Sequence, residues 1–261
     1  MNVDRVLKVD AACVLAVGAV ACVVADRLLL MSVLVPAVIG LRFVVLRRLP
    51  LAPELGFFGI CTLVGAANDW NTVVVHDVYA YDVATWLPFD GAIPVWMLLF
   101  WGLILRLVAS LARWSRWGAT SGPSARVGLP GRRAEHPWVR LAVQLALVVA
   151  TRQAIYRWFE DPLLSWLPFA GAALAWWLLL GFDRRELGLA ALALTLGTAA
   201  EAALISVGGL HTYALGLVGG VPLWIILWWP LAVLIWKDVG GHIEAALSAP
   251  QARTGWNSLQ P

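Results

Sequence analysis

Two acidic residues lie within apolar segments of the sequence, where an ionisable side chain is costly and usually has a partner or a function. Glu201 lies in LGLAALALTLGTAAEAALISV, and Asp69 follows Asn68 near the end of another apolar segment. A carboxyl group at membrane depth can donate a proton to a substrate, or it can form a buried ion pair that joins two helices. Capping of a helix end is a further alternative for Asp69. We predict Glu201 and Asp69 as the proton-donating residues of a membrane-embedded site.

Three further side chains are predicted to be catalytic neighbours of these acids. Arg152 lies about as deep in its own apolar segment as Glu201 does. We therefore expect Arg152 to pair with Glu201 and to tune its acidity. Tyr81 and Tyr213 could donate hydrogen bonds to the acids, or they could be aromatic residues of the membrane interface.

Two tryptophans and two histidines are predicted to contact a substrate. The indole faces of Trp101 and Trp229 could stabilise a developing cation, although close packing between helices would also account for them. His211 and His76 lie in the two loops that follow the acidic segments. Neither loop has the ligand spacing of a metal site, and no nucleotide, haem or phosphate-binding pattern occurs in the chain. No metal and no cofactor is therefore predicted.

The composition indicates that a membrane positions these residues. Hydrophobic residues make up 61% of the 261 residues and charged residues 13%, about half the charged share of soluble domains. A soluble domain of this size could not bury so much apolar surface. We predict an all-α polytopic membrane protein, with each apolar segment long enough to span the bilayer. The eight segments lie at about 9–25, 28–46, 51–75, 93–113, 138–159, 162–182, 187–207 and 221–237.

The basic residues predict the orientation of the chain. All but three of the 19 Lys and Arg residues fall on one side of the predicted spans, the exceptions being Arg27, Arg152 and Arg157. Because Lys and Arg accumulate on the cytoplasmic side, both termini are predicted to be cytoplasmic, in a cytoplasmic-type membrane. The predicted units are a first membrane unit (1–113), a basic cytoplasmic linker (114–137), a second membrane unit (138–240) and a cytoplasmic tail (241–261).

The two membrane units repeat each other in sequence. At an offset of 132 residues the matches are Pro36 with Pro168, Gly65 with Gly197, Ala67 with Ala199, Asp69 with Glu201 and Tyr81 with Tyr213. At an offset of 128 they are Gly91 with Gly219, Pro94 with Pro222, Trp96 with Trp224 and Trp101 with Trp229. Each unit has four predicted spans, so both copies have the same orientation, related by a two-fold axis along the membrane normal. Trp96 and Trp224, near the starts of their helices, are expected at the membrane interface.

Part of the second unit resembles a known family. Glu201 is followed by Gly209-Leu210-His211-Thr212-Tyr213 and by Gly220-Val221-Pro222-Leu223-Trp224. Residues 201–229 are in this respect similar to the integral-membrane carotenoid-biosynthesis proteins that include carotenoid hydratases. His211 stands where that family has an aromatic–glycine pair. The resemblance implies a long isoprenoid substrate and acid-catalysed addition of water.

Two functions from different classes follow from these observations. The first is a membrane-embedded enzyme that performs acid-catalysed chemistry on a membrane lipid or isoprenoid. The second is a non-enzymatic transport, lipid-handling or complex-assembly subunit with membrane-protein partners. No nucleic-acid partner is predicted. An enzyme should bring Asp69 or Glu201 together with a tyrosine at an enclosed pocket, whereas an assembly subunit should have a filled interior and outward-pointing tryptophans.

Overall fold

The described part of the protein is a bundle of helices with one very short sheet. A computed structural model describes residues 3–46, 50–85, 92–115 and 137–248. Its helices are α1 (Val3–Val24), α2 (Leu28–Gly40), α3 (Leu51–Asp69), α4 (Val95–Ala112), α5 (Pro137–Trp158), α6 (Leu167–Leu179), α7 (Arg184–Leu192), α8 (Thr198–Ser206) and α9 (Leu223–Ser248). The strands are β1 (Tyr79–Tyr81) and β2 (His211–Tyr213). Three π-helical segments continue or join helices: Leu41–Val45 after α2, Trp70–Val75 after α3, and Ala193–Gly197 between α7 and α8.

The prediction of an all-α polytopic membrane protein is confirmed at the level of its helices. Within the described ranges, seven helical stretches are long and apolar enough to cross a bilayer. The sixth of the eight predicted spans is shorter than predicted, since α6 has 13 residues and so extends only about 20 Å. The preceding residues form turns because the Asp161 carboxylate accepts hydrogen bonds from the amides of Leu163 and Leu164, at 2.8 and 2.7 Å.

Local sequence signals account for the limits of the elements near α6 and α7. Pro168 lies in the first turn of α6, where its missing amide hydrogen is not needed. Gly181, at a φ of 63°, follows the end of α6 in the left-handed conformation that favours glycine. Asp183 and Glu186 then form a reciprocal capping box that begins α7.

The helices α4 and α9 lie at the centre of the bundle. The first packs against α1, α2, α3 and α9, and the second against α3, α5, α6 and α7 as well. Trp96 and Trp224, near the starts of α4 and α9, are only 0% and 2% exposed. The other helices of the bundle therefore cover both indoles, and the prediction that they lie at the depth of the membrane interface stays a prediction.

A buried ion-pair cluster joins the four helices of the first half, at the end of the bundle opposite the sheet. Arg42 contacts Asp10 at 2.5 Å and Glu54 at 3.0 Å, and Arg106 contacts Glu54 at 2.6 Å. Ser110 donates a further hydrogen bond to Asp10. Arg42 and Arg106 count toward the basic side in the sequence-based orientation, yet both side chains are buried within the bundle. Two cations face two anions, so the cluster is neutral overall.

The second half contains a related cluster at the same end. Glu186 contacts Arg140 at 2.5 Å and Lys237 at 2.8 Å. Asp238 accepts hydrogen bonds from Arg140 at 3.1 Å and from Gln144 at 2.6 Å. These side chains come from α5, α7 and α9.

The predicted unit boundaries stay a prediction. The helix α9 continues beyond the predicted boundary at residue 240 and ends at Ser248. Most of the predicted linker, residues 116–136, and the rest of the predicted tail, residues 249–261, lie outside the described residues.

Candidate functional site

The two loops that follow the acidic helices are joined by an antiparallel strand pair. Tyr79 lies opposite Tyr213, Ala80 opposite Thr212, and Tyr81 opposite His211. Alternate residues of a strand point to the same face, so each strand presents two aromatic side chains to one face of the pair. The strand pair thereby brings four aromatic rings over the ends of α3 and α8.

Asp69 is the centre of the first polar cluster, which we call the Asp69 centre and which consists of Asp69, Tyr79, Tyr81 and Trp101. Its Oδ1 accepts a hydrogen bond from the Tyr79 hydroxyl at 2.8 Å. Its Oδ2 accepts two, from the Tyr81 hydroxyl at 2.7 Å and from Trp101 Nε1 at 2.8 Å. Asp69 is 0% exposed, and across the described ranges no Lys or Arg contacts it. Both carboxyl oxygens are therefore held by neutral donors in a closed environment.

Glu201 is the centre of the second cluster, the Glu201 centre, which consists of Glu201, His211 and Tyr213. Trp229, the repeat counterpart of Trp101, packs against Gly197, one turn before Glu201. Glu201 Oε1 accepts a hydrogen bond from the Tyr213 hydroxyl at 2.7 Å and lies 3.0 Å from His211 Nε2. Its Oε2 has no hydrogen bond to any described residue. The Glu201 side chain is 12% exposed. One carboxyl oxygen is thus held in place, and the other is available.

Two stacked indoles separate the centres. The rings of Trp101 and Trp229 lie 6.2 Å apart at an interplanar angle of 28°. Each indole packs closely against a glycine. A Cβ added at Gly65 would lie 2.8 Å from Trp101 Cγ, and one added at Gly197 would lie 2.8 Å from Trp229 Cγ. The two indoles differ in one respect: Trp101 Nε1 donates to Asp69, whereas Trp229 Nε1 is buried with no partner among the residues described.

The tyrosines of both centres are held in their neutral form. Burial raises the pKa of Tyr79 and Tyr81 well above the usual range, and the nearby Asp69 carboxyl raises it further. Burial and the Glu201 carboxyl raise the pKa of Tyr213 in the same way. All three hydroxyls therefore remain hydrogen-bond donors at neutral pH.

Arg152 and His76 lie outside both centres. The expected Arg152–Glu201 ion pair is wrong, because Arg152 donates hydrogen bonds to Thr72 and to the Tyr156 hydroxyl. His76 stacks on the same Tyr156 ring, with centroids 3.9 Å apart. The two residues therefore belong to a separate polar group beside the Trp70–Val75 segment.

The structure brings together the other predicted residues and adds one. Of the predicted set, the residues that form the two centres are Asp69, Tyr81, Trp101, Glu201, Tyr213 and His211. The Trp229 indole stacks on Trp101. Tyr79 was not predicted as a site residue. It precedes His211 by 132 residues, so the repeat contained a signal that could have identified it.

Neither Asp69 nor Glu201 lines either of two clefts in the described part of the structure. An apolar cleft of about 240 Å³ flanks α3 and is lined by Leu63, Ala66, Ala67, Trp70, Ile93 and Leu98. A second cleft, of about 330 Å³, lies in the loop between α5 and α6. No group of three His, Cys, Asp or Glu side chains in the described part of the chain could hold a metal ion.

Comparison with known proteins does not assign this arrangement to a family. No protein-family model, no curated protein and no solved structure shows significant similarity to the chain.

Proposed function

We propose that the protein is a membrane-embedded enzyme that uses Glu201 as a general acid on a lipid or isoprenoid. The observation that carries the proposal is the unequal use of the Glu201 oxygens: Oε1 is fixed by Tyr213 and His211, while Oε2 has no hydrogen bond to a described residue. A general acid must be held in one orientation and must also leave one oxygen free to reach the substrate. Asp69 meets only the first requirement.

The surroundings of Glu201 support a proton-donating role. Its expected partner Arg152 lies elsewhere, and among the described residues no Lys or Arg contacts the Glu201 carboxyl group. The aromatic faces of the centre could stabilise a cation on the substrate.

The reaction that fits is the addition of water to a carbon–carbon double bond, or its reverse. Glu201 Oε2 gives a proton to one alkene carbon, water attacks the cation formed on the other, and the proton lost by the water returns to the carboxylate. The resemblance of residues 201–229 to carotenoid hydratase-like proteins implies the same chemistry, with an isoprenoid as substrate. Asp69 then has a positioning role, since Tyr79 and Tyr81 are fixed by its carboxylate.

We also propose that the chain arose by duplication of a four-helix unit, with both copies in the same orientation and both termini cytoplasmic. The register of the strand pair supports the duplication, because an offset of 132 converts the Tyr79–Tyr213 pair into the Tyr81–His211 pair. Gly65 with Trp101 and Gly197 with Trp229 make equivalent packing contacts. A reporter enzyme inserted between Ser115 and Pro137 tests the orientation: it should be active only in the cytoplasm, and activity on the outer side would reject the proposal.

The substitution Glu201→Gln tests the enzymatic proposal, because it keeps the shape of the side chain and removes the acid. We expect cells that carry only this variant to accumulate an unconverted lipid or isoprenoid, with turnover reduced by at least about 100-fold. Glu160→Gln is the matched control, since Glu160 is an exposed acid outside both centres. Both variants are compared by mass spectrometry of extracted lipids and pigments, at equal protein level.

A non-enzymatic role in lipid handling, transport or membrane-complex assembly is the second candidate. The observation that favours it is the position of the apolar cleft, which flanks α3 and not Glu201. The same experiment separates the two candidates. Lipid and pigment profiles that are identical for Glu201→Gln and the unaltered protein would reject the acid-catalyst proposal and favour the second.

A further inference from the structure

The two centres differ in how completely their polar groups are satisfied. In the Asp69 centre each hydroxyl and indole N–H donates to the carboxylate. In and around the Glu201 centre, three buried polar atoms have no partner among the described residues: Trp229 Nε1, Thr198 Oγ1 and His211 Nδ1. Glu201 Oε2 also lacks a hydrogen bond there. A buried polar group without a partner costs free energy, so such a group calls for an explanation.

The unsatisfied groups lie on neighbouring elements. Thr198 and Glu201 are three residues apart on α8, which places them on the same side of the helix. The Trp229 indole packs against Gly197, the residue immediately before Thr198. At the equivalent position in the first half, Trp101 directs its Nε1 to the acid. The unpartnered polar groups of the second half therefore lie beside Glu201, whereas the donors around Asp69 all reach its carboxyl group.

We infer that the Glu201 centre binds the oxygen atom of a hydroxyl group carried by a lipid-soluble alcohol. The inference rests on the proposed function, because it identifies the polar group on which Glu201 acts. The hydroxyl oxygen accepts a hydrogen bond from Trp229 Nε1–H and shares a second hydrogen bond with Glu201 Oε2. Thr198 can donate or accept a third. A hydroxyl at this position is the group that hydration of an alkene forms and that dehydration removes.

The chemistry of the site selects a hydroxyl over an ion. An anion would require cationic donors, and in the part of the chain that the structure describes no Lys or Arg contacts Glu201. A metal ion would require more ligands than Glu201 and His211 provide. A hydroxyl both donates and accepts hydrogen bonds, which matches an indole N–H beside a carboxyl group. Because Glu201 lies in an apolar segment of bilayer-spanning length, the molecule that carries the hydroxyl must be soluble in the membrane.

Indole N–H resonances test the inference directly. The full-length protein, labelled with ¹⁵N-tryptophan and purified in detergent micelles, is titrated with phytanol and, separately, with phytane, which lacks only the hydroxyl. The Trp229 signal is assigned by its loss in Trp229→Phe, and the Trp101 signal by its loss in Trp101→Phe. We expect phytanol to shift the Trp229 resonance in a saturable manner, phytane to leave it unchanged, and the Trp101 resonance to move less than that of Trp229.

Binding of radiolabelled phytanol gives a second measurement. Trp229→Phe should weaken binding about tenfold, as expected for the loss of one hydrogen bond from a buried site. Trp177→Phe is the matched control, because Trp177 is an exposed residue of α6 outside both centres, and it should leave the affinity within about twofold. Equal shifts from phytanol and phytane, or no shift from either, would overturn the inference. So would a water cross-peak at Trp229 Nε1–H that phytanol does not remove, because the site would then hold water only.

The outcomes separate this inference from the proposed function. If phytanol shifts Trp229 while Glu201→Gln leaves the cellular lipids unchanged, the hydroxyl site stands and the acid-catalyst proposal fails. If Glu201→Gln changes the lipids and Trp229 does not respond to phytanol, the acid-catalyst proposal stands and the hydroxyl site is rejected.

Discussion

At the scale of single residues, one methylene group distinguishes the two acids. The shorter Asp69 accepts three hydrogen bonds and uses both oxygens, whereas Glu201 uses only Oε1. The indoles show the consequence, since Trp101 reaches its acid and Trp229 Nε1 has no acceptor in the described structure. An acid and a tryptophan thus form a hydrogen bond in the first half, whereas in the second half the tryptophan N–H has no described acceptor.

This difference predicts unequal effects of two identical substitutions. Trp101→Phe and Trp229→Phe remove the same atoms from two stacked indoles, but only the first breaks a hydrogen bond to a buried carboxyl group. We expect Trp101→Phe to lower the unfolding free energy by about 1–2 kcal/mol more than Trp229→Phe does. Unfolding of ligand-free protein in detergent, followed by circular dichroism, measures the difference. Equal losses would show that the hydrogen bond from Trp101 to Asp69 contributes nothing.

The sequence predicted most of both centres because the repeat linked Asp69 with Glu201, Tyr81 with Tyr213 and Trp101 with Trp229. It could not predict the partner of Arg152. Position along a helix gives depth, but rotation about the helix axis decides which neighbour a side chain meets. Arg152 has a depth similar to that of Glu201, yet its side chain contacts Thr72 and Tyr156.

Alkaline pH should destabilise the site through its tyrosines. The pKa of Tyr79, Tyr81 and Tyr213 is raised in the folded protein by burial first and by the nearby carboxyl groups second. A raised pKa means that the folded state keeps protons that the unfolded chain loses near pH 10. The stability contributed by these groups is therefore fully present below about pH 10 and is lost as the pH rises further.

Ultraviolet titration checks this expectation. Tyrosinate absorbance of the folded protein should lag behind that of the chain unfolded in detergent and denaturant, and the unfolding free energy should fall above about pH 10. Coincident titration curves for the folded and unfolded chains would contradict it. Tyr81→Phe is a useful control, since it removes one of the groups with a raised pKa.

At the scale of elements, close contacts at glycines determine where the indoles lie. Gly65 on α3 meets Trp101 on α4, and a Cβ at this position would come within 2.3 Å of Trp101 Cβ. Helix periodicity predicts an apolar face here, but it does not give the distance between two helices. The π-helical segments are a further feature that the sequence did not reveal. Two of the three adjoin the site, since one follows Asp69 and another precedes Thr198.

Two glycine-to-alanine substitutions on α3 should have different effects on the stability of the protein. Gly65→Ala should displace the Trp101 indole from Asp69 and destabilise the protein by about 1–3 kcal/mol. Gly59→Ala, also on α3, adds a methyl group with nothing within 4 Å and should be neutral or stabilise by up to about 1 kcal/mol. Thermal unfolding in detergent compares them. A loss at Gly59 as large as that at Gly65 would point to a general effect on the helix rather than to the indole contact.

At the scale of the whole molecule, the halves are joined at both ends of the bundle. The strand pair links them at one end. Toward the other, Trp236 Nε1 donates to the Leu105 carbonyl at 2.8 Å, and Arg113 contacts Glu244 at 2.6 Å. Between these points α9 packs against both α3 and α4. These contacts are non-covalent and independent of any connection between Ser115 and Pro137.

The halves should therefore assemble when the chain is cut between Ser115 and Pro137. We expect two co-expressed fragments to be inserted separately and to co-purify when only one carries an affinity tag. Ala80→Pro should reduce their association, because proline removes an amide hydrogen from β1. Ala80→Thr is the matched control, since Ala80 is exposed and a threonine already stands opposite it at position 212. If the fragments do not co-purify, the contacts between the halves depend on the connecting chain. If Ala80→Pro and Ala80→Thr behave alike, the strand pair contributes little, and packing of α9 against α3 and α4 holds the halves together.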